Sequence, residues 1–204
     1  MTGMAAPSEL PLEIVPLTPE NWDALAALFE EGGDPKWCWC AFWRVRGLDW
    51  NNSTPDGNRA LLRRLAERPR QPPGLVALRD GRAVGWVSLG PREDYERLEH
   101  SRALARIDDR PAWSIVCFVV SRRERGQGIA RRLLEAAMDH AREHGATLLE
   151  AYPVDPGERG RIPAASAYQG TRSMFERAGF AVAATRQAPG APRPRSIVRR
   201  EVDW

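Results

Sequence analysis

The densest chemistry in this chain lies between residues 115 and 134. An apolar, β-branched run from Ile115 to Val120 stops at Ser121, and Arg122-Arg123-Glu124-Arg125-Gly126-Gln127-Gly128 follows. Apolar residues then recur at helical spacing from Ile129. The pattern reads as strand, tight turn, helix. Gly126 and Gly128 let the N–H groups of the turn point toward the first turn of the helix. Those donors and the positive end of the helix dipole suit a phosphate or pyrophosphate. Arg122, Arg123, Arg125, Arg131 and Arg132 add cations for further phosphate oxygens.

Two common phosphate loops do not fit. A P-loop needs G-x-x-x-x-G-K-[ST], and the single lysine is Lys36, far upstream. The dinucleotide fingerprint needs a third glycine, where this chain has Arg131. What remains is Arg125-Gly126-Gln127-Gly128-Ile129-Ala130, which fits [QR]-x-x-G-x-[GA]. This segment resembles the acyl-CoA-binding motif of the GCN5-related N-acetyltransferase (GNAT) superfamily. Met174-Phe175-Glu176-Arg177-Ala178-Gly179-Phe180 is similar to that family's last helix and the Gly-Phe after it. The resemblance implies that the backbone of 125–130 grips the pyrophosphate of coenzyme A. It also implies that the strand end Phe118-Val119-Val120 lies along the pantetheine arm and polarises the thioester.

Acetyl transfer to an amine needs a neutral amine, a donor for the oxyanion and a way to release the thiolate. Glu150, in Leu148-Leu149-Glu150-Ala151-Tyr152, is the candidate general base. A lone carboxylate in an apolar strand is costly unless paired or useful, and burial would raise its pKa. Members of the resembled family carry a catalytic Glu here. The alternative is a structural pairing with an arginine, such as one on the neighbouring helix. Ser114 stands where other members have a Glu and cannot act as a base in the same way. The family's usual acid is a Tyr on the last helix, where this chain has Phe175. Tyr168, at the family's usual Asn position, or Tyr152 could supply a phenol instead. The competing reading of Tyr168 is a half-exposed residue packing on coenzyme or loop.

The acceptor site of the resembled fold maps to 34–66 and 187–195. Trp37, Trp39, Phe42, Trp43 and Trp50 crowd the first segment and could stack on a flat or cationic acceptor. The alternative is a small satellite core. Cys38 and Cys40, with His100, His140 and His144 all distant, are too little for zinc, so no metal is expected. Cys117 reads as a small buried hydrophobe.

These residues need elements to hold them. The sequence predicts a leader over 1–11 and one domain over 12–204. It predicts a first strand at 12–16, then a helix begun by Thr18 and Pro19 and ended by Gly32-Gly33. A helix at 55–67 and a hairpin around Arg79-Asp80-Gly81-Arg82 follow. The charged stretch 91–109 reads as a surface helix near 95–104. After the strand 113–120 and the helix 127–144 come a strand at 147–152, a helix at 168–177, and strands at 180–185 and 196–202. Pro/Gly-rich loops occupy 153–165 and 187–195. The fold class is therefore α/β, a central twisted mixed β-sheet flanked by helices, which is the order of the GNAT-like fold.

The chain has 204 residues and a formal charge of +3, with a pI near 9.0. Its arginines are interleaved with Asp and Glu, which argues against a nucleic-acid partner. No run of 18 apolar residues is present, so no membrane partner is expected. No secretory signal is visible, and three cysteines suit a reducing cytoplasm better than a disulfide framework. The expected activity is transfer of an acetyl group from acetyl-CoA to a primary amine of a small molecule or protein, by direct attack in a ternary complex. The alternative is a non-catalytic acyl-CoA-binding sensor or interaction module. The sequence does not set the oligomeric state; the resemblance makes a homodimer common.

Overall fold

The structure, a computed structural model, describes residues 11–68, 70–153, 168–187 and 194–202. The strands are β1 (Glu13–Pro16), β2 (Gly74–Arg79), β3 (Arg82–Pro91), β4 (Trp113–Val120), β5 (Leu148–Ala151), β6 (Ala181–Arg186) and β7 (Arg195–Glu201). The helices are α1 (Trp22–Glu30), α2 (Asp34–Cys38), α3 (Gly47–Asn51), α4 (Pro55–Ala66), α5 (Glu96–Glu99), α6 (Ile129–Glu143) and α7 (Arg172–Arg177). Most of the 153–165 and 187–195 loops and the leader fall outside the described residues.

One seven-stranded sheet runs in the order β1-β2-β3-β4-β5-β7-β6. β4 and β5 are parallel; every other neighbouring pair is antiparallel. Leu133, Ala137, Phe118 and Phe175 fill the core on the α6 side. Trp22, Phe29, Trp39 and Trp86 fill the opposite core, under α1 and α2. Gly85 on β3 lets α6 sit close: a Cβ there would stand 2.8 Å from Ile129 Cγ2 and 3.0 Å from Leu133 Cδ1. The start of α6 is thereby fixed against the sheet. The hairpin turn has Asp80 at φ 51° and Gly81 at φ 71°, the left-handed pair that a tight two-residue turn requires.

The stretch 91–109 departs from the sequence reading. It forms a 3-10 turn at Arg92–Asp94 and the short helix α5, and its Tyr95 and Leu98 are buried rather than on the surface. The cause is Arg92, only 1% exposed. All five of its N–H directions are taken. Nε donates to Glu99 Oε1 (2.8 Å), Nη1 to Glu150 Oε2 (2.9 Å) and Tyr152 Oη (2.8 Å), and Nη2 to the carbonyls of Leu98 (3.3 Å) and Leu104 (2.7 Å). The chain wraps this guanidinium, and two of the wrapping groups are backbone carbonyls that a continued helix would use itself.

Among the described residues, no helix is long and apolar enough to cross a membrane.

On α6, His140 packs against Trp113 and His144, with ring centroids 6.1 and 4.1 Å away. Burial, and then the neighbouring His144, hold its pKa down to about 4, against 6.5 for an ordinary histidine. The unfolded chain therefore takes up a proton between these values that the native state refuses. Stability is full above pH 6.5 and falls as pH drops toward 4. Denaturant titrations at pH 7.5 and 4.5 should differ by about 1–2 kcal/mol from this group, after allowance for the ring's remaining solvent contact. The difference should shrink in His140→Phe.

Candidate active site

Pairing between β4 and β5 ends early. Trp113, Ser114 and Ile115 face Leu149, Glu150 and Ala151, and there β5 stops while β4 runs on to Val120. The β3–β4 register slips at the same place. Ser88 faces Cys117 but Leu89 faces Ile115, so Val116 is an extra residue on β4. Such a bulge bends its strand and re-aims the backbone. The edge of 116–120 that faced β5 is left without a strand partner among the described elements.

A 3-10 turn at Arg122–Glu124 leads from β4 into the glycine loop. Glu124 is buried and pairs with Arg79 at the end of β2, and Arg79 also donates to Gln127 Oε1 at 3.0 Å. Nothing local in the chain marks this tie, which joins residues that lie 45 and 48 positions apart and pins the loop from below. Gly126 and Gly128 have φ of 81° and 75°, and a Cβ on either would meet open space. The glycines are there for backbone conformation, and their open side is where a ligand can approach. Gly128 caps α6, so the first N–H groups of that helix face the same opening. Ile129 is buried against β3 and anchors the helix start, while Arg122, Arg123 and Arg125 are exposed around the loop.

From the loop a narrow groove follows β4. Val119, Val120, Ser121, Arg125 and Tyr168 line it, with Pro35 and Gly32 opposite. Phe118 points the other way, into the α6-side core against Phe175. The groove meets a cavity of about 370 Å³ walled by Pro35, Trp37, Phe42, Trp43, Trp50 and, on β4, Val116 and Cys117. Tyr168 and Pro35 belong to both spaces. Burial, and then the nearby Asp34, raise the Tyr168 pKa above 10, although Arg125 opposes the shift. The phenol stays protonated at neutral pH and is a donor at the junction.

Glu150 is 1% exposed and far from alone. Its Oε2 accepts from Arg92 and from Tyr152 Oη (2.8 Å), and its Oε1 accepts from Arg199 Nε at 2.7 Å. Arg199 is its cross-strand neighbour on β7 and also binds Asp108. Arg199 comes from β7 and Arg92 from a one-turn 3-10 helix, Arg92–Asp94, directly after β3; neither is on the neighbouring helix α6. Tyr152 is buried and gives or takes a hydrogen bond with Ser114 Oγ at 2.7 Å. Burial pushes its pKa well above 10. This cluster lies one ring behind the cavity wall: the Trp43 and Tyr152 rings are 6.3 Å apart. Glu150 and Tyr152 line neither the groove nor the cavity. Phe175 is fully buried with its edge toward Phe118 and Phe180.

Cys117 is buried, as its place in an apolar strand predicts, and with Cys38 and Cys40 it also borders the cavity. All three are free thiols. Burial pushes Cys38 up to about 12, so it stays a neutral thiol at physiological pH. Among the described residues, no cluster of His, Cys, Asp and Glu is arranged to hold a metal.

Glu150→Gln should leave Arg92 and Arg199 facing a neutral amide inside the protein. The expected cost is about 3 kcal/mol in chemical denaturation, with acetyl-CoA affinity little changed. An unchanged midpoint with abolished turnover would instead mark the carboxylate as a base.

Likeness to known proteins agrees with this geometry. No curated protein matches the chain in sequence. Among solved structures, a GCN5-related N-acetyltransferase from Kribbella flavida shares 17% identity at a TM-score of 0.57, over 93% of this chain and 97% of that one. The ribosomal-protein-S18-alanine N-acetyltransferase of Escherichia coli shares 14% at 0.54, over 95% and 96%. The yncA protein of Salmonella typhimurium, solved with its cofactor acetyl-CoA, shares 18% at 0.54, over 94% of each chain. At these identities the likeness is one of fold. The sequence pattern of the acetyltransferase (GNAT) family matches residues 39–180, well over half of the chain, and takes in β4, the glycine loop, α6 and α7. The chain therefore belongs to the acetyltransferase (GNAT) family and is an acetyl-CoA-dependent N-acetyltransferase.

Proposed function

We propose that the protein moves an acetyl group from acetyl-CoA to the primary amine of a small molecule, by direct attack with both substrates bound. The observation that carries this reading is the succession of loop, groove and cavity along the free edge of β4, the groove and cavity sharing Pro35 and Tyr168. The pyrophosphate sits on the N–H groups around Gly126 and Gly128, with Arg122, Arg123 and Arg125 as counter-charges. The pantetheine amides pair with the free edge of β4, and the thioester reaches the bulge at Val116. A backbone N–H at that bend takes the developing oxyanion. The amine, waiting in the cavity, attacks the carbonyl carbon. The new C–N bond forms, the C–S bond breaks, and Tyr168 donates its proton to the departing thiolate. The attacking nitrogen releases its proton to water at the cavity mouth. Glu150 serves as the charge that holds Arg92 and Arg199 in place. Free thiols at all three cysteines suit a cytoplasmic setting.

Gly128→Asp places a carboxylate and a Cβ at φ 75°, beside the phosphate seat. Calorimetric titration should show acetyl-CoA affinity lowered by about 100-fold or more, with ATP and NAD weak toward both proteins. Tyr168→Phe should keep acetyl-CoA affinity and lower kcat by about 100-fold, read as thiol release. Undiminished kcat in that variant would remove the proton-donor role, and binding without turnover on any amine would favour a sensor.

A further inference from the structure

The cavity wall carries a chemical preference. Its size lies at the small end of the range for ligand pockets, which is about 300–1,000 Å³. The rings meet edge to face: Trp37 on Trp50 at 5.0 Å and 75°, Phe42 on Trp50 at 5.3 Å and 88°. An edge-to-face contact covers one face of one ring in each pair and leaves the other ring faces for a flat guest. The rings are braced from outside by Arg97. Its guanidinium lies 4.0 Å over Phe42 and 5.5 Å from Trp50, and it donates to the carbonyls of Phe42 and Val45 at 2.6 and 3.2 Å.

The backbone is also bent to make this wall. Trp39 and Cys40 stand at φ 43° and 53°, left-handed conformations that non-glycine residues adopt only where the surrounding structure holds them. The bend sends Trp39 into the core and Cys40 under Trp86, whose Nε1 donates to its sulfur at 3.1 Å. Trp37 is left 42% exposed at the rim. A satellite core formed only for stability would bury Trp37 and would not need that bend.

Charge narrows the guest further. Asp34 is the one carboxylate among the described residues lining the cavity, and burial keeps the Cys38 and Cys117 thiols there protonated. A polyamine or a lysine-rich peptide would bring more cationic charge than this wall can match. One ammonium can be met at Asp34, next to Tyr168, with the remainder of the guest among the rings, and it gives up one proton to solvent before the neutral amine attacks.

We infer that the acceptor is an arylalkyl monoamine, a primary amine on a short chain bearing one flat aromatic group. This rests on the reading of the β4 edge as the seat of the thioester. Steady-state thiol release with acetyl-CoA should be compared for phenethylamine, tryptamine, ethylamine, spermidine and a lysine-containing peptide. The aryl amines should exceed ethylamine in kcat/KM by about 100-fold, the discrimination an apolar pocket gives for a large group. Trp50→Ala should raise the KM for phenethylamine by about 10-fold, and the rim variant Trp37→Ala, which disturbs no buried side chain, should do so by a smaller factor. Calorimetric affinity for acetyl-CoA should hold in both. Preference for spermidine or the peptide, or aryl amines left unacetylated by a protein that binds acetyl-CoA, would overturn the inference and leave the acetyl-CoA seat standing. Failure to bind acetyl-CoA at all would instead overturn the reading on which it rests.

Discussion

A buried guanidinium organises this molecule. Arg92 is coordinated through all five N–H directions, and its partners come from α5, the turn after it, and β5. Taking such a cation out of water is tolerable only with that full set of partners. The requirement folds 96–104 back over the sheet and holds Glu150 and Tyr152 in place. Glu150 then holds Arg199 across to β7, and Tyr152 meets Ser114 on β4. These contacts lock the three strands together up to the last β4–β5 pair. Beyond it β5 has ended, and this edge of β4 runs on without a strand partner among the described elements.

The remainder of the site follows from that gap. The bulge at Val116 turns the β4 backbone just where its partner ends, and the loop pinned by Arg79 and Glu124 aims the start of α6 at the far end of the free edge. One end offers donors for anionic oxygens and the other offers aromatic walls. A long cosubstrate with a charged head and an apolar, reactive tail matches that polarity. Gly85 keeps α6 in register with the sheet, so the two ends stay at a fixed separation.

The parts visible in the sequence were those with a local cause. The β-branched run, the glycines of the loop, the apolar period of α6 and the Asp-Gly hairpin each dictate their own conformation within a few residues. Strand order and the family resemblance followed from them. The charged stretch 91–109 misled because interleaved Arg and Glu have the pattern of a solvated helix, and nothing local marks Arg92 as interior. The partners of Glu150 are 58 and 49 residues away in the chain, on Arg92 and Arg199. Cys117 read as a small buried hydrophobe and is one, but strand alternation does not reveal that a missing neighbour strand puts it beside the cavity. Tyr168 was legible as a phenol near the last helix, but its place between groove and cavity depends on Gly33 and Pro35, far upstream.

The most direct measurement is amide hydrogen exchange with and without acetyl-CoA. If the cosubstrate lies along the open edge, amides within 116–120 and at the loop and first turn of α6, 126–131, should gain protection together, while the β1 edge of the sheet is unchanged. Binding that protects the loop but leaves 116–120 exchanging as before would contradict the placement of the pantetheine and thioester on β4.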